Sequence, residues 1–259
     1  MSVSIGAAAP LIDPGEFPSW ILHEDEHLLV VDKPGLIVCH PSKNGPWSSL
    51  VGAAREYCGR PVAHLVFRLD RETSGVVLLA KDAPTASRLQ QAMQRRLVAK
   101  VYLAILQGEL REPATVDQPL GPDLDSCVTI RSKVVAAGTP GAQAAATHFE
   151  PLAAGGGFTL ARVRTETGRK HQIRAHALWL GHAIVGDKLY GPDERLYLEF
   201  AQHGWTERHA ALLPLTRQAL HCAEIDVGPA HEPHRFRAPL PLELAEFCRQ
   251  RIGVDPAAG

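Results

Sequence analysis

The sequence lacks several features that define common classes of protein. Its five cysteines contain no CxxC pair, and an odd number at wide spacing argues against a disulfide framework or a thiolate zinc site. No apolar run approaches the ~18–20 residues that span a bilayer. The N-terminus also has no basic start followed by a long apolar stretch. We therefore expect a cytoplasmic protein with no membrane partner.

Cofactor and metal motifs are missing as well. The chain contains neither a phosphate-binding P-loop nor the glycine motif of dinucleotide-binding proteins, so we predict that it uses no cofactor. Thirteen histidines are present, and two pairs lie close in sequence, His171 with His176 and His231 with His234. Neither pair has a convincing set of further ligands nearby, so we expect no metal site.

Charge is unevenly distributed along the chain, although the net charge is only −1. Residues 55–100 hold nine Lys or Arg against four Asp or Glu, and residues 161–191 hold six against two. Two basic blocks in an otherwise acidic chain indicate a localised electropositive face of the kind that binds nucleic acid. Chance clustering on solvated surfaces would give the same pattern, so charge alone leaves both interpretations open.

The pattern of apolar runs and turns predicts an α+β fold with a largely antiparallel sheet, because short strands outnumber helices and many are joined by tight turns. No internal repeat or linker separates two domains. We predict a flexible N-terminal tail over residues 1–19, one catalytic domain over residues 20–252 and a C-terminal tail over residues 253–259.

Individual elements follow from local signals. A serine-capped helix is expected over 48–58, and a second helix over 84–96 is capped by Asp82. Further helices are predicted to end at Gly181 and to close the chain over 241–252. The predicted strands are 28–31, 36–38, 76–80, 101–106, 145–152, 158–165, 219–226 and 234–238, with hairpins and long loops over 108–143.

Five ordered sequence blocks carry a resemblance to a known family. They are 32-DKPGLIVCHPS-42, 68-RLDRETSG-75, 100-KVYLAIL-106, 167-TGRKHQIRAH-176 running into 181-GHAIVGDKLYG-191, and 220-LHCAEI-225 followed by 236-FRAPLP-241. Together they resemble the RluA family of RNA pseudouridine synthases over roughly residues 20–250. The resemblance implies a pseudouridine synthase fold, a mixed and mainly antiparallel sheet flanked by helices, with the active site in a central basic cleft.

The resemblance implies three catalytic residues: Asp70, Tyr102 and Arg174. Conversion of uridine to pseudouridine breaks the bond from nitrogen to the anomeric carbon and re-attaches the base through carbon, without redox change. This chemistry needs an ionised carboxylate at the sugar, as nucleophile or base, and the family assigns that role to Asp70. Arg174 would keep Asp70 charged, and Tyr102 would stack on the uracil ring. From the residues alone, Asp70 could equally cap the turn that follows it, and Asp187 is expected to fix a turn.

RNA recognition is expected to come from the catalytic domain itself. A stacked uridine must be flipped out, at a cost of a few kcal/mol, and by resemblance Arg68 enters the space that the base leaves. We expect further RNA contacts from four basic residues: Arg71, Lys100, Arg169 and Lys170. The predicted partner is a structured RNA, tRNA or rRNA, with no obligate protein partner, and the protein is expected to be a monomer.

One departure from the family pattern keeps alternatives open. Phe67 stands where the family usually has histidine, which removes a hydrogen-bonding group beside Asp70. A catalytically silent RNA-binding protein with the same fold is therefore one alternative. A nucleoside glycosidase, which would release free uracil, is another. Retention of Asp70, Tyr102 and Arg174 together favours the synthase.

Overall fold

The computed structural model describes residues 9–40 and 44–256. The strands in chain order are β1 (Ile21–Glu24), β2 (Leu28–Lys33), β3 (His64–Leu65), β4 (Ser74–Ala80), β5 (Ala99–Gln107), β6 (Ala114–Asp117), β7 (Leu120–Pro122), β8 (Ser132–Val134), β9 (Ala146–Gly155), β10 (Phe158–Thr165), β11 (Leu220–Asp226) and β12 (Arg235–Arg237). The helices are α1 (Leu50–Cys58), α2 (Ala83–Gln94), α3 (Gln172–Trp179), α4 (Arg195–His203), α5 (Glu207–Leu212) and α6 (Leu242–Phe247). The α+β fold, with a mixed and mostly antiparallel sheet, is as predicted.

The chain folds into two compact units, each made of discontinuous segments. The first unit contains Ala9–Val101 and His221–Pro239, and the second contains Tyr102–Leu220 with the described residues from Leu240 onward. Strand β5 therefore begins in the first unit and continues in the second. The predicted domain boundaries at residues 20 and 252 stay a prediction.

The first unit is built around β4, whose seven residues are all buried. Its strand order is β1-β2-β4-β11, with β3 also paired to β4 and β12 paired to β11. The pairing of β4 with β11 is parallel, with His221 beside Ser74, and the other pairings in this unit are antiparallel. A strand buried on both faces has a continuous apolar sequence, which explains the run 76-VVLLA-80.

Two helices of the first unit begin at predicted caps. Ser49 accepts a hydrogen bond from the backbone N–H of Gly52 at 3.2 Å, and Asp82 accepts one from Thr85 N–H at 2.7 Å. Each cap satisfies a backbone donor that the first turn of a helix leaves without an internal partner. In α2, Ala86 and Leu89 are buried.

The second unit contains a meander and a small hairpin. Strands are ordered β5-β10-β9-β6, with antiparallel pairing of β10 with β9 and of β9 with β6, while β7 and β8 form a separate antiparallel pair. Its hydrophobic core joins the β7–β8 region to α3 and the segment that follows α3. The buried members of this core are Leu120, Val128, Ala145, Ala175, Leu189 and Tyr190.

Several local predictions were wrong. No strand forms over residues 36–38, because Leu36 adopts a positive φ of 73° that breaks the extended backbone. Helices α4 and α5 were not predicted. Within the predicted N-terminal tail, Ile12 and Phe17 are buried, and a 3-10 turn spans Phe17–Trp20. Packed structure therefore begins before residue 20, while residues 1–8, 41–43 and 257–259 lie outside the described part of the chain.

No helix among the described residues is both long and apolar enough to cross a membrane.

Candidate active site

The segment that carries Asp70 is a tight turn held by a buried lysine. Lys33 is 0% exposed, and its Nζ donates to the carbonyl oxygens of Pro34 and Ile37 at 2.9 Å and to that of Arg71 at 3.2 Å. The Asp70 carbonyl in turn accepts a hydrogen bond from Thr73 N–H at 3.2 Å. Lys33 therefore links the first sequence block to the turn that follows Asp70.

The far end of the same turn is held by His221. Its Nε2 lies 3.2 Å from the Ala238 carbonyl oxygen and its Nδ1 lies 2.9 Å from Ser74 Oγ. A carbonyl oxygen only accepts, so Nε2–H donates to Ala238 and Nδ1 accepts from the Ser74 hydroxyl. This chain of two bonds joins the 68–75 block to both parts of the last block, 220–225 and 236–241, within the first unit.

The turn that follows Asp70 ends at Gly75, a position that requires glycine. Its φ is +111°, and a Cβ atom there would lie 2.2 Å from the Cys222 carbonyl oxygen on the neighbouring strand. Only glycine permits both that backbone conformation and that approach of β11 to β4. The glycine of RETSG therefore serves the sheet on which the turn is built.

The basic residues near Asp70 have different environments. Arg68 is exposed, whereas Arg71 is half-buried and its Nε donates to the Leu36 carbonyl at 3.3 Å. Lys100 is also half-buried: its Nζ lies 5.3 Å from the centroid of the Phe67 ring, and burial lowers its pKa. Phe67 thus presents an aromatic face to a cation, which is a stabilising contact.

The segment that carries Arg174 is organised by a buried ion pair. Arg174 on α3 is 7% exposed, and its guanidinium donates to both oxygens of Asp187, from Nε at 2.6 Å and from Nη2 at 2.9 Å. Asp187 Oδ1 also accepts hydrogen bonds from the backbone N–H groups of Leu189 and Tyr190. The expectation that Asp187 fixes a turn is confirmed, and Asp187 also orients Arg174.

Tyr190 connects this ion pair to the β8 strand. Arg174 lies over the Tyr190 ring, 4.9 Å from the ring centroid. The Tyr190 hydroxyl accepts a hydrogen bond from the Ser132 N–H and donates one to the Ser132 carbonyl oxygen. The hydroxyl also lies 3.1 Å from His171 Nδ1. Burial, the largest influence on this group, raises the pKa of Tyr190 to about 12. The phenol is therefore neutral at physiological pH and serves as a structural hydrogen-bonding group.

A cavity of about 230 Å³ in the second unit adjoins the predicted RNA-binding residues Arg169 and Lys170, which are both exposed. Arg131 also lines it and is paired with Asp123. Gly121 and other residues of the 120–143 segment form the remaining wall. An opening of this size with three cationic side chains suits a phosphate or a ribose-phosphate unit.

The predicted site residues are divided between the two units. Four belong to the first unit: Asp70, Arg68, Arg71 and Lys100. Four belong to the second: Tyr102, Arg174, Arg169 and Lys170. Tyr102 lies on β5 and is buried. Each unit places its own residues on ordered segments, and the pairing of Asp70 with Arg174 stays a prediction.

Sequence analysis missed four residues that support these segments. Three of them, Lys33, Tyr190 and His221, lie inside blocks that the resemblance had singled out, but an isolated sequence shows neither burial nor carbonyl partners. Arg131 lies in the Gly- and Pro-rich middle segment, where no motif distinguishes it from a surface arginine.

Comparison with known proteins identifies the family. Residues 27–179 match the family model described as RNA pseudouridylate synthase. The chain belongs to this family. Over 237 residues it is 35% identical to a Bacillus subtilis (strain 168) protein named uncharacterized RNA pseudouridine synthase YjbO, with 90% of this chain and 76% of that protein covered. The isomerase activity predicted from the sequence is the activity after which the family is named.

Two further relatives support the assignment. The chain is 34% identical over 242 residues to ribosomal large subunit pseudouridine synthase D of Nitrosomonas europaea (strain ATCC 19718), covering 90% of this chain and 65% of that protein. Among solved structures, human RNA pseudouridylate synthase domain containing 4 matches with a TM-score of 0.71 and 26% identity, covering 91% of this chain and 94% of that one. The pseudouridine synthase fold is therefore confirmed.

Removing Arg174 should destabilise the protein through Asp187. We expect Arg174→Met to lower the free energy of unfolding by about 3–5 kcal/mol, because it leaves a fully buried carboxylate without its cation. The double variant Arg174→Met/Asp187→Asn should lower the free energy of unfolding by less than the single variant does. Arg162→Met, which breaks a partly exposed pair with Glu150, should cost under about 1 kcal/mol. Urea denaturation monitored by circular dichroism measures all three.

The effect of Arg174→Met should also depend on pH. Burial is the largest influence on Asp187 and raises its pKa, but Arg174 and two backbone N–H groups outweigh it and hold that pKa below 3.8. A carboxyl with a lowered folded-state pKa contributes stability above its ordinary pKa and loses that contribution as pH falls through the folded value. Without Arg174 the carboxyl should protonate at higher pH, so the stability gap between wild type and variant should narrow on acidification. A gap that is constant from pH ~7 to ~4 would contradict this account.

Proposed function

We propose that this protein isomerises specific uridines of a structured RNA to pseudouridine, with Asp70 as the essential carboxylate. The observation that carries the proposal is the turn that follows Asp70. It is anchored at one end by Lys33 and at the other by the Ser74–His221–Ala238 chain, and Asp70 itself is half-buried. A carboxylate on so constrained a segment is suited to act at one atom of a bound nucleotide.

The proposed reaction moves the base without any net change in oxidation state. The bond from the anomeric carbon to N1 breaks, the base turns, a bond from the same carbon to C5 forms, and the proton on C5 is lost as N1 gains one. Asp70 acts at the sugar as nucleophile or base. Tyr102 is proposed to stack on the base while it turns, and its hydroxyl to help move the C5 proton.

Arg174 is proposed to keep Asp70 ionised. An adjacent guanidinium lowers the pKa of a carboxyl by roughly 1–3 units, which offsets the effect of burial. Asp187 supports this role because its two bonds to Arg174 orient the guanidinium plane. Asp187 is accordingly a positioning residue in the proposal.

The proposed substrate contacts come from exposed cations. Arg68 is proposed to occupy the space of the flipped uridine, and its exposure supports this role. Arg169 and Lys170, beside the cavity of about 230 Å³, are proposed to bind phosphates. Arg71 and Lys100 are half-buried and contact Leu36 and Phe67, so in the proposal they contribute less direct contact.

Large-subunit ribosomal RNA is the substrate that the relatives favour. Proteins named for that activity, including the Nitrosomonas europaea one, align over about 90% of this chain. Transfer RNA is the other candidate. Cytoplasmic location and a monomeric state stay predictions.

Asp70→Asn should abolish pseudouridine formation and leave folding and RNA affinity nearly unchanged, because the amide keeps the shape of the side chain and removes its charge. Glu72→Gln is the matched control, since it removes a half-buried carboxylate two residues further along the same turn. The measurement is pseudouridine formed in a bulk RNA preparation from cells lacking the gene, with free uracil quantified in the same samples. Turnover of Asp70→Asn within tenfold of wild type would contradict the role of Asp70, and release of uracil by wild type would support a glycosidase.

Arg68→Ala should impair base flipping more than chemistry. In a stem-loop the enzyme must supply the unstacking free energy, a few kcal/mol, whereas a flexible strand of the same sequence requires little of it. The variant should therefore lose much more of its single-turnover rate on the stem-loop than on the flexible strand. Arg95→Ala, an exposed arginine of the same basic block, should show no such difference. Equal fractional losses of Arg68→Ala on both substrates would mean that Arg68 serves general RNA affinity or the chemical step.

A further inference from the structure

Three side chains from two distant parts of the sequence, none of them within the sequence blocks used above, converge in the first unit. His23 lies on β1, Asp25 follows that strand, and His231 follows the 3-10 turn Gly228–Ala230. The Nε2 atoms of both histidines lie 2.8 Å from the same oxygen, Asp25 Oδ2. The three potential ligand atoms all lie within 4.8 Å of one another.

The supporting contacts keep these side chains in place. The second carboxylate oxygen, Asp25 Oδ1, accepts the backbone N–H groups of His27 at 2.7 Å and Leu28 at 2.8 Å. Both imidazole rings pack against Phe236, with centroids at 5.4 Å for His23 and 6.5 Å for His231. Oδ2 is therefore left to face the two imidazole nitrogens, while the other oxygen holds the turn.

The exposure of the cluster allows an ion and water to reach it. The His231 side chain is only 7% exposed, whereas His23 and Asp25 are 24% and 30% exposed. One side of the cluster is thus closed by protein and the other opens to solvent. A hydrogen bond from the backbone to the second oxygen of a carboxylate is a usual support of a carboxylate that binds a metal.

We propose that His23, Asp25 and His231 bind a divalent transition-metal ion of the zinc class. The ligands are the two Nε2 atoms and Asp25 Oδ2, with water in the remaining coordination position. Zinc binds imidazole nitrogen at about 2.0–2.1 Å and carboxylate oxygen at about 2.0–2.2 Å. The three ligand atoms therefore need to move apart only slightly to admit the ion. Each neutral imidazole would carry its proton on Nδ1.

The site would join two distant parts of the chain. Asp25 and His231 are 206 residues apart, and the ion would tie the β1–β2 turn to the segment that precedes β12. This separation is why sequence analysis, which considered His231 only with His234, predicted no metal. The role we propose is structural and independent of the pseudouridine synthase reaction.

A metal-binding measurement on tag-free, chelator-stripped protein tests the proposal. Isothermal titration with Zn²⁺ should give one equivalent at this site, and Co²⁺ should give the visible absorption of a low-coordinate N/O complex. Zn²⁺ should also raise the thermal unfolding temperature, because an ion that binds only the folded state stabilises it.

Two conservative variants separate a metal site from a hydrogen-bonded clamp. His231→Gln keeps a donor for Asp25 but is a poor zinc ligand, and Asp25→Asn keeps an oxygen for the two backbone N–H groups. Both should fold as wild type and lose zinc affinity by at least about 10- to 100-fold, the range seen when outer supports of a ligand are removed. His27→Gln is the control, since the His27 side chain pairs with Asp82 at 2.8 Å and His27 contacts Asp25 through its backbone N–H.

The outcomes are decisive in either direction. Loss of the zinc equivalent in both variants, with retention in His27→Gln, would support the site. No zinc binding by wild type, or equal binding by wild type and both variants, would overturn it and leave the cluster as a hydrogen-bonded clamp.

Discussion

The buried pair of Arg174 and Asp187 is the constraint on which the position of the second unit's proposed catalytic arginine depends. Two ionised groups removed from water are stable only when each is fully hydrogen-bonded, and here the carboxylate also receives two backbone N–H groups. The guanidinium rests on Tyr190, whose hydroxyl reaches Ser132. Helix α3, the turn at residues 187–190 and strand β8 are therefore oriented together, and the direction in which Arg174 points is a consequence of all three.

Buried polar groups also hold the first unit, but they are an ammonium and an imidazole rather than an ion pair. A buried ammonium, Lys33 Nζ, collects three carbonyl oxygens around the turn after Asp70, and His221 holds the end of that turn through Ser74. In the first unit the anchors Lys33 and His221 are neighbours of the proposed catalytic Asp70, whereas in the second unit Arg174 is itself part of the anchoring pair. In both units buried polar groups fix the backbone that carries the proposed catalytic residue.

Part of this arrangement was predictable from sequence, and the reasons are physical. The caps Ser49 and Asp82 and the buried strand at 76–80 follow from local backbone requirements that a short window reveals. Leu36 was predicted to lie in a strand because the segment is apolar. Its positive φ instead places it in a loop whose carbonyl oxygens bind Lys33, a tertiary contact that the apolar pattern does not show. The partners of Arg174 and the convergence of His23 with His231 depend on tertiary contacts across many residues, which no local pattern encodes.

We propose that this member of the RNA pseudouridylate synthase family modifies defined uridines of a structured RNA. The most direct test is a map of pseudouridine at single-nucleotide resolution across the cellular RNA, compared between cells that contain the gene and cells that lack it. We predict that one or more uridines within a folded region, in large-subunit rRNA or tRNA, are modified only when the gene is present. Identical maps in the two cells would contradict the account.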